Sequence, residues 1–194
     1  FLAGSTPPGS VVAFFPGVAY TPLQLMMLPD GNAFFEGNTH LMARYDGAVI
    51  DASPRSTKLL HPDALANPLA VAHVVNHPPA GKQPNVMPAL LDIDVAVPPE
   101  MLSLLPNIGF TQAKPQLLLP TQTARPSFAD LLRESLQNNS GEDSVHVVRG
   151  LALLSTRAIC DEELYLNYRL NPRNGYPDWY TPVDREEDMR RWKR

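Results

Sequence analysis

The apolar residues of this chain come in short bursts cut by proline and glycine, the pattern of brief strands rather than long helices. Gly9–Tyr20 (GSVVAFFPGVAY) reads as one or two strands broken at the turn dipeptide Pro16-Gly17, because Val11, Val12, Phe14 and Phe15 favour extended backbone. Thr21–Pro29 is an apolar run bounded by prolines; Asp30-Gly31-Asn32 is a turn signal, and Phe34–Glu36 predicts another short strand. Leu41–Arg44 and Ala48–Asp51 flank Tyr45-Asp46-Gly47, the strongest hairpin signal in the sequence. Ser53–Ala66 is polar, with at most a helical turn around Pro62–Leu65. Pro68 can open another turn, and Val74-Val75 reads as buried strand.

Val86–Val97 predicts a strand with Leu90, Leu91, Ile93, Val95 and Val97 apolar, followed by a possible turn of helix from Pro98 to Leu105. Residues 111–143 lose strand character and read as an insertion. Within them, Ser127–Gln137 is a credible amphipathic helix, with a capping-box spacing at Ser127 and Asp130 and one apolar face from Phe128, Leu131, Leu132 and Leu136. Val145–Ala158 returns to β character, with Arg149-Gly150 a possible bulge. Asp161–Tyr168 (DEELYLNY) reads as turn plus strand. The tail is aromatic and proline-rich, then charged, with acidic residues first and basic ones last, the polarity a short helix prefers.

Composition sharpens this picture. At 44% hydrophobic and 19% charged residues the chain is globular rather than disordered, and 21 prolines weigh against long helices. The expected class is mostly β with few short helices. A net charge of −4 argues against a nucleic-acid grip spread over the surface, although a basic protein tail remains possible as a substrate. A single cysteine, Cys160, rules out an internal disulfide framework and a cysteine-based zinc cluster, and fits a reducing compartment. Neither a membrane-crossing apolar run nor a leader pattern is visible, so an intracellular site, nuclear or cytoplasmic, is expected.

Two stretches carry candidate chemistry. Ala70–Asn85 (AVAHVVNHPPAGKQPN) sets Asn76-His77 after a β-branched run and ends in Pro84-Asn85. By itself Asn76 before a proline-rich loop is a common turn. His73 and His77 have the spacing of a helical zinc pair, but HVVNH lacks the glutamate of the metalloprotease motif and Pro78-Pro79 interrupts the helix. In DEELYLNY, Glu162 and Glu163 could form a carboxylate pair. Neighbours on a strand point to opposite faces, so solvated charge is the simpler reading. P-loop, dinucleotide-fingerprint and nucleophile-elbow motifs are absent. Asn138-Asn139-Ser140 fits a glycosylation triplet, but the single cysteine argues against a secretory location.

Taken in order, these pieces resemble a SET-domain protein-lysine methyltransferase. Gly9-Ser10-Val11-Val12 with Phe15-Pro16-Gly17 and Tyr20 is similar to the family's early strand pair, and Ile50-Asp51-Ala52 to its I-D-A/G strand. Asn67 with Ala72–His77 is similar to G-N-x-A-R-F-I-N-H, Pro84-Asn85 to its closing P-N, and Glu162-Glu163-Leu164…Tyr168 to G-E-E-L-x-x-x-Y. NPLAV…VN followed by LLPNIGF is most similar to the group called SET domain-containing protein nine.

The resemblance implies a SET-domain fold over residues 1–170, with several short sheets and a knot-like C-terminal closure, an insertion at 111–143 and a tail at 171–194. It implies S-adenosyl-L-methionine as cofactor, held by Asn76, the His77 backbone and Tyr168. Tyr168 would be the catalytic residue lining the transfer channel, and Tyr20 or Phe15 would supply a channel wall. The partner would be a protein substrate, histone or non-histone, with an exposed lysine; no metal, nucleic acid or membrane is implied. Departures stand beside these matches: Pro78-Pro79 replaces Ser-Cys, the loop from there to Pro84-Asn85 is longer than the family's, His73 replaces an arginine, Asp161 a glycine, and the G-x-G motif expected ahead of the first strand is missing, as though the domain began upstream of Phe1. A post-SET cysteine cluster is also lacking, and the aromatic tail Tyr176–Tyr180 would have to close the channel. A non-catalytic SET-derived module that binds a protein partner is the alternative, and an unrelated β-rich binding domain a third reading.

Overall fold

The computed structural model describes residues 1–26, 28, 34–94, 104–109 and 147–193. In order, its strands are β1 (Leu2–Thr6), β2 (Val11–Phe14), β3 (Gly17–Tyr20), β4 (Leu41–Ala43), β5 (Val49–Asp51), β6 (Val86–Asp94), β7 (Asn107–Gly109), β8 (Val147–Ser155) and β9 (Ile159–Glu162). The helices are α1 (Pro22–Met26), α2 (Pro54–Thr57), α3 (Pro62–Ala66) and α4 (Arg185–Arg191), with 3-10 turns at Ala72–Val74 and Pro172–Asn174. The protein is therefore mostly strands in several small sheets. Proline opens α1, α2 and α3 and the Pro172–Asn174 turn, where its missing N–H costs nothing and its φ is already helical. Among the described residues no helix is long and apolar enough to cross a membrane.

The chain forms two units that interleave along the sequence: 1–14, 74–89 and 152–193 make one, and the described residues of 15–73 and 90–151 make the other. The second unit is built on a sheet of order β4-β5-β3-β7, in which β3 runs antiparallel to β5 and parallel to β7. The expected hairpin is present: Met42 lies opposite Ile50, and Arg44 N–H donates to the Ala48 carbonyl across the turn. Every residue of β3 and β5 is buried, because these strands lie inside the sheet. Val18 and Tyr20 pack against Leu25, Leu28, Phe34, Leu59 and Ile108. Complete burial of side chains such as Val18 and Ile50 contributes roughly 1.5–3 kcal/mol each.

Two polar side chains of this unit, Asp51 and Arg44, are closely paired. The Asp51 carboxylate accepts from the Ser56 hydroxyl (2.6 Å), the Ser53 amide (2.8 Å) and hydroxyl (3.1 Å), and the Asn38 amide (3.2 Å). The guanidinium of Arg44, wholly enclosed, donates to the Gly150 carbonyl and to Asp92 and Asp46.

In the first unit β1 pairs antiparallel with β9, Thr6 opposite Ile159. β2 pairs antiparallel with the C-terminal part of β8, Phe14 opposite Ala152, in the order β2-β8-β6. The register shift in this pairing lies between Val11 and Ala13, and the Arg149-Gly150 dipeptide read as a possible bulge lies within continuous strand. α4 is capped by Asp184, whose side chain accepts from Glu187 N–H, and it carries the acid-first, base-last order read from the sequence.

Three local expectations are corrected. Phe34 and Phe35 are helical rather than strand; Phe34 turns its ring edge-on to Tyr20 with centroids 4.8 Å apart. Val74 belongs to a 3-10 turn, with the bulky Val74 side chain exposed, so Val74-Val75 is not buried strand. The acidic residues Asp161 and Glu162 lie in β9 rather than in a turn, and the strand expected after them is reduced to isolated bridges at Tyr165 and Leu166. The amphipathic helix at 127–137, the insertion around it and the Asp30-Gly31-Asn32 turn lie outside the described residues.

Candidate functional site

All three residues singled out for cofactor and catalysis, Asn76, His77 and Tyr168, come together in the first unit. Their meeting is made by backbone. Leu166 N–H donates to the Asn76 carbonyl at 2.9 Å, while the Tyr165 carbonyl accepts from Asn85 N–H at 3.1 Å and Val86 N–H at 3.2 Å. The C=O and N–H of one trans peptide point in opposite directions. The Tyr165–Leu166 segment is therefore flanked by Asn76 on one side and by Asn85 and Val86 on the other, in two parallel bridges. The 77–84 connection has to cross over it.

Asn85 locks this crossing. It is fully buried, its Oδ1 accepts from Tyr165 N–H at 2.7 Å, and its Nδ2 donates to the Glu163 carbonyl at 2.8 Å. One buried carboxamide thus satisfies both a backbone donor and a backbone acceptor.

Around the crossing lies a polar and aromatic surface. Asn76 Nδ2 donates to Glu163 Oε1 at 3.1 Å, and the Tyr165 hydroxyl donates to Glu163 Oε2 at 2.9 Å. These hydrogen bonds, that from Asn76 first, hold the Glu163 carboxyl below its ordinary range, while the same contact raises Tyr165. Glu162, by contrast, turns to a two-pronged pair with Arg157 at 2.6 Å. The adjacent glutamates do serve different partners: Glu162 ends β9, whereas Glu163, exposed and just beyond the strand, takes hydrogen bonds from Asn76 and Tyr165. The sequence signal that could have found it was the spacing of a carboxylate two residues before Tyr165 in extended backbone.

Tyr168 is 38% exposed, and its hydroxyl donates to the Val75 carbonyl at 2.9 Å. Burial of the phenol raises its pKa. The His77 ring is nearly buried and lies between Tyr168, at a centroid distance of 5.5 Å, and Tyr180, stacked at 4.3 Å. Trp179 stands edge-on to both Tyr168 and Tyr180 and is exposed. Tyr180 and Trp179 come from the C-terminal tail, so that aromatic segment does reach the Tyr168 neighbourhood.

Asp161, where the family pattern has glycine, adopts φ +45°. That left-handed position favours glycine but tolerates aspartate, and here the carboxylate also accepts from Gly4 N–H at 2.7 Å. The two residues expected to wall a channel belong to the second unit, where both are buried. Tyr20 sits beside Asp51 and Ser56, and desolvation pushes its pKa up to about 12. Phe15 meets His73 edge-on at 6.4 Å. Among the described residues no cluster of side chains could hold a metal ion.

Comparison of the chain with protein-family models, with curated proteins and with solved structures found no match.

Proposed function

We propose that this chain is a SET-type, S-adenosyl-L-methionine-dependent protein-lysine N-methyltransferase. The observation that carries the reading is the passage of Tyr165–Leu166 between Asn76 and Asn85-Val86, with Tyr168 emerging beside His77. Two motifs that resemble those of the family are thereby joined at one place.

The donor set suits the cofactor. An exposed carboxamide at Asn76 and an anionic carboxylate at Glu163 match the hydroxyl and ammonium groups of an adenosyl amino acid, and the Tyr168 ring offers an aromatic face to a cation. When bound, this cofactor supplies an electrophilic methyl group. The protein's own task is then to bring a neutral lysine amine into line and keep water out. Tyr168, its pKa raised by burial, stays a neutral phenol at physiological pH, so it orients and stabilises charge rather than removing the lysine proton.

A second reading, a non-catalytic module that binds a protein partner, is favoured by one feature. The Tyr168 hydroxyl and the Asn76 amide are both already engaged within the chain. Calorimetry with S-adenosylmethionine separates the two: saturable binding is expected, and its absence would sink the enzyme reading. Transfer of labelled methyl to histones and to cell extract then tests the chemistry, with Tyr168→Phe expected to slow it by about tenfold or more. Unchanged transfer in that variant would remove Tyr168 from the reaction.

A further inference from the structure

The imidazole of His77 makes two hydrogen bonds that together fix its proton. A backbone amide can only donate, so Tyr168 N–H, 3.3 Å from Nδ1, makes that nitrogen an acceptor. A carbonyl can only accept, so the Thr181 oxygen, 2.8 Å from Nε2, requires the proton there. The neutral ring with its proton on Nε2 satisfies both. Imidazolium has no acceptor, and the other tautomer has both roles reversed.

The ring is also held on its face. Tyr180 stacks against it with planes 27° apart. Tyr180 is itself anchored: it is 5% exposed, its hydroxyl accepts from Leu170 N–H at 3.3 Å and lies 3.5 Å from Asp188, and Tyr176 packs beside it at 4.9 Å. One side of His77 therefore holds the backbone at Tyr168, and the other holds the tail at Tyr180 and Thr181.

We propose that the His77 imidazole is a positioning residue that couples docking of the C-terminal segment Tyr176–Thr181 to the placement of Tyr168. This role differs from the one the family resemblance gives His77, which runs through its backbone to the cofactor. What Tyr168 then does rests on the methyltransferase reading; the coupling rests on the hydrogen bonds and the stack. If His77 were only an aromatic filler, any ring of similar size would serve and neither nitrogen would matter.

The test is ring-nitrogen NMR and amide hydrogen exchange on the full chain, in the parent protein and in Tyr180→Phe, Tyr180→Leu and His77→Phe. The parent should show His77 as a single neutral tautomer with its proton on Nε2, and Tyr180→Phe, which keeps the stack, should preserve it. Tyr180→Leu should give mixed tautomers and about tenfold faster exchange at the Tyr168 amide, the loss expected for one hydrogen bond. The β1–β9 amides, as a fold control, should not change. Should Tyr180→Leu fail to fold, His77→Phe keeps a ring against Tyr180 while removing both nitrogens, and it should expose the Tyr168 amide by the same factor. A parent ring protonated on Nδ1, or an unchanged Tyr168 amide in His77→Phe, overturns the proposal. Neither measurement uses S-adenosylmethionine. A protein that shows the coupling but binds no cofactor therefore loses the methyltransferase reading and keeps this one.

Discussion

Asn85 substitutes for a strand partner of Tyr165: its side-chain oxygen takes the Tyr165 N–H at 2.7 Å, where a neighbouring strand would have offered a carbonyl. Its amide nitrogen simultaneously serves the Glu163 carbonyl, so one buried side chain adds two hydrogen bonds to the crossing that the backbone makes. Asn85→Ala strands two partly buried backbone groups, the Tyr165 N–H and the Glu163 carbonyl, and we expect a loss of about 1–3 kcal/mol in denaturant unfolding. Asn85→Asp keeps the acceptor but loses the donor and buries a charge, so it should be no better. A loss under about 0.5 kcal/mol would show that the crossing is held by other contacts.

The enclosed Arg44 sets a pH dependence. Its hydrogen bonds and charge hold the Asp46 carboxyl below the ordinary aspartate range. A carboxyl depressed in the folded state contributes stability that is full above its unfolded pKa, about 4, and is lost as pH falls through the folded value. Arg44→Met should cost about 1–3 kcal/mol at neutral pH, because it strands the buried Gly150 carbonyl and takes the cation away from the partly exposed Asp46 and Asp92. It should also flatten the loss of stability between pH 4 and lower pH in acid titrations followed by circular dichroism.

Gly17 has no room for a side chain. Its φ is +129°, and an added Cβ would stand 2.0 Å from the Asp51 carbonyl oxygen, on the strand paired with it. Gly17→Ala should destabilise the second unit by about 3 kcal/mol or more, seen as a lower melting temperature or as insoluble protein. Gly4, around which a Cβ meets nothing, offers a contrast: Gly4→Ala suffers only from its positive φ and should cost about 1 kcal/mol.

Asp188 works in the opposite sense to Asp46. It is 1% exposed on α4, and burial raises its pKa, with Glu187 adding to the effect. A folded state that holds this proton more tightly than the unfolded one is stabilised at low pH and loses that stability as pH rises through the folded value. Asp188→Asn removes the titrating group while keeping an acceptor for the Tyr180 hydroxyl. Its melting temperature at pH 7–8 should exceed the parent's by about 2–4 °C, with the difference shrinking toward pH 4. A variant that melts lower at every pH would mean that the ionised carboxylate is needed.

Local patterning made much of the fold legible. Alternating and β-branched runs gave the strands around Pro16-Gly17, the Tyr45-Asp46-Gly47 hairpin and the long β6 and β8, because turn residues and side-chain alternation act over a few positions. Phe34-Phe35 misled because aromatic residues favour strands only where a neighbouring strand exists to pair with; here they close over Tyr20 from a helical turn. The strand at Leu2–Thr6 gave little signal, as its small and polar residues gain order mainly from pairing with β9.

The sequence by itself determined the residue types and their order: Asn76-His77 with Pro84-Asn85, then Glu162-Glu163-Leu164 with Tyr168, and an aromatic tail behind them. Only the tertiary structure decided which of these residues meet. Asn76 and Glu163 are 87 positions apart, and His77 and Thr181 are 104 apart. No local rule spans such distances, because these contacts form only when the Tyr165–Leu166 backbone is paired on both sides at once. For the same reason the tautomer of His77 could not be read from the chain: it is set by one donor and one acceptor brought from separate segments.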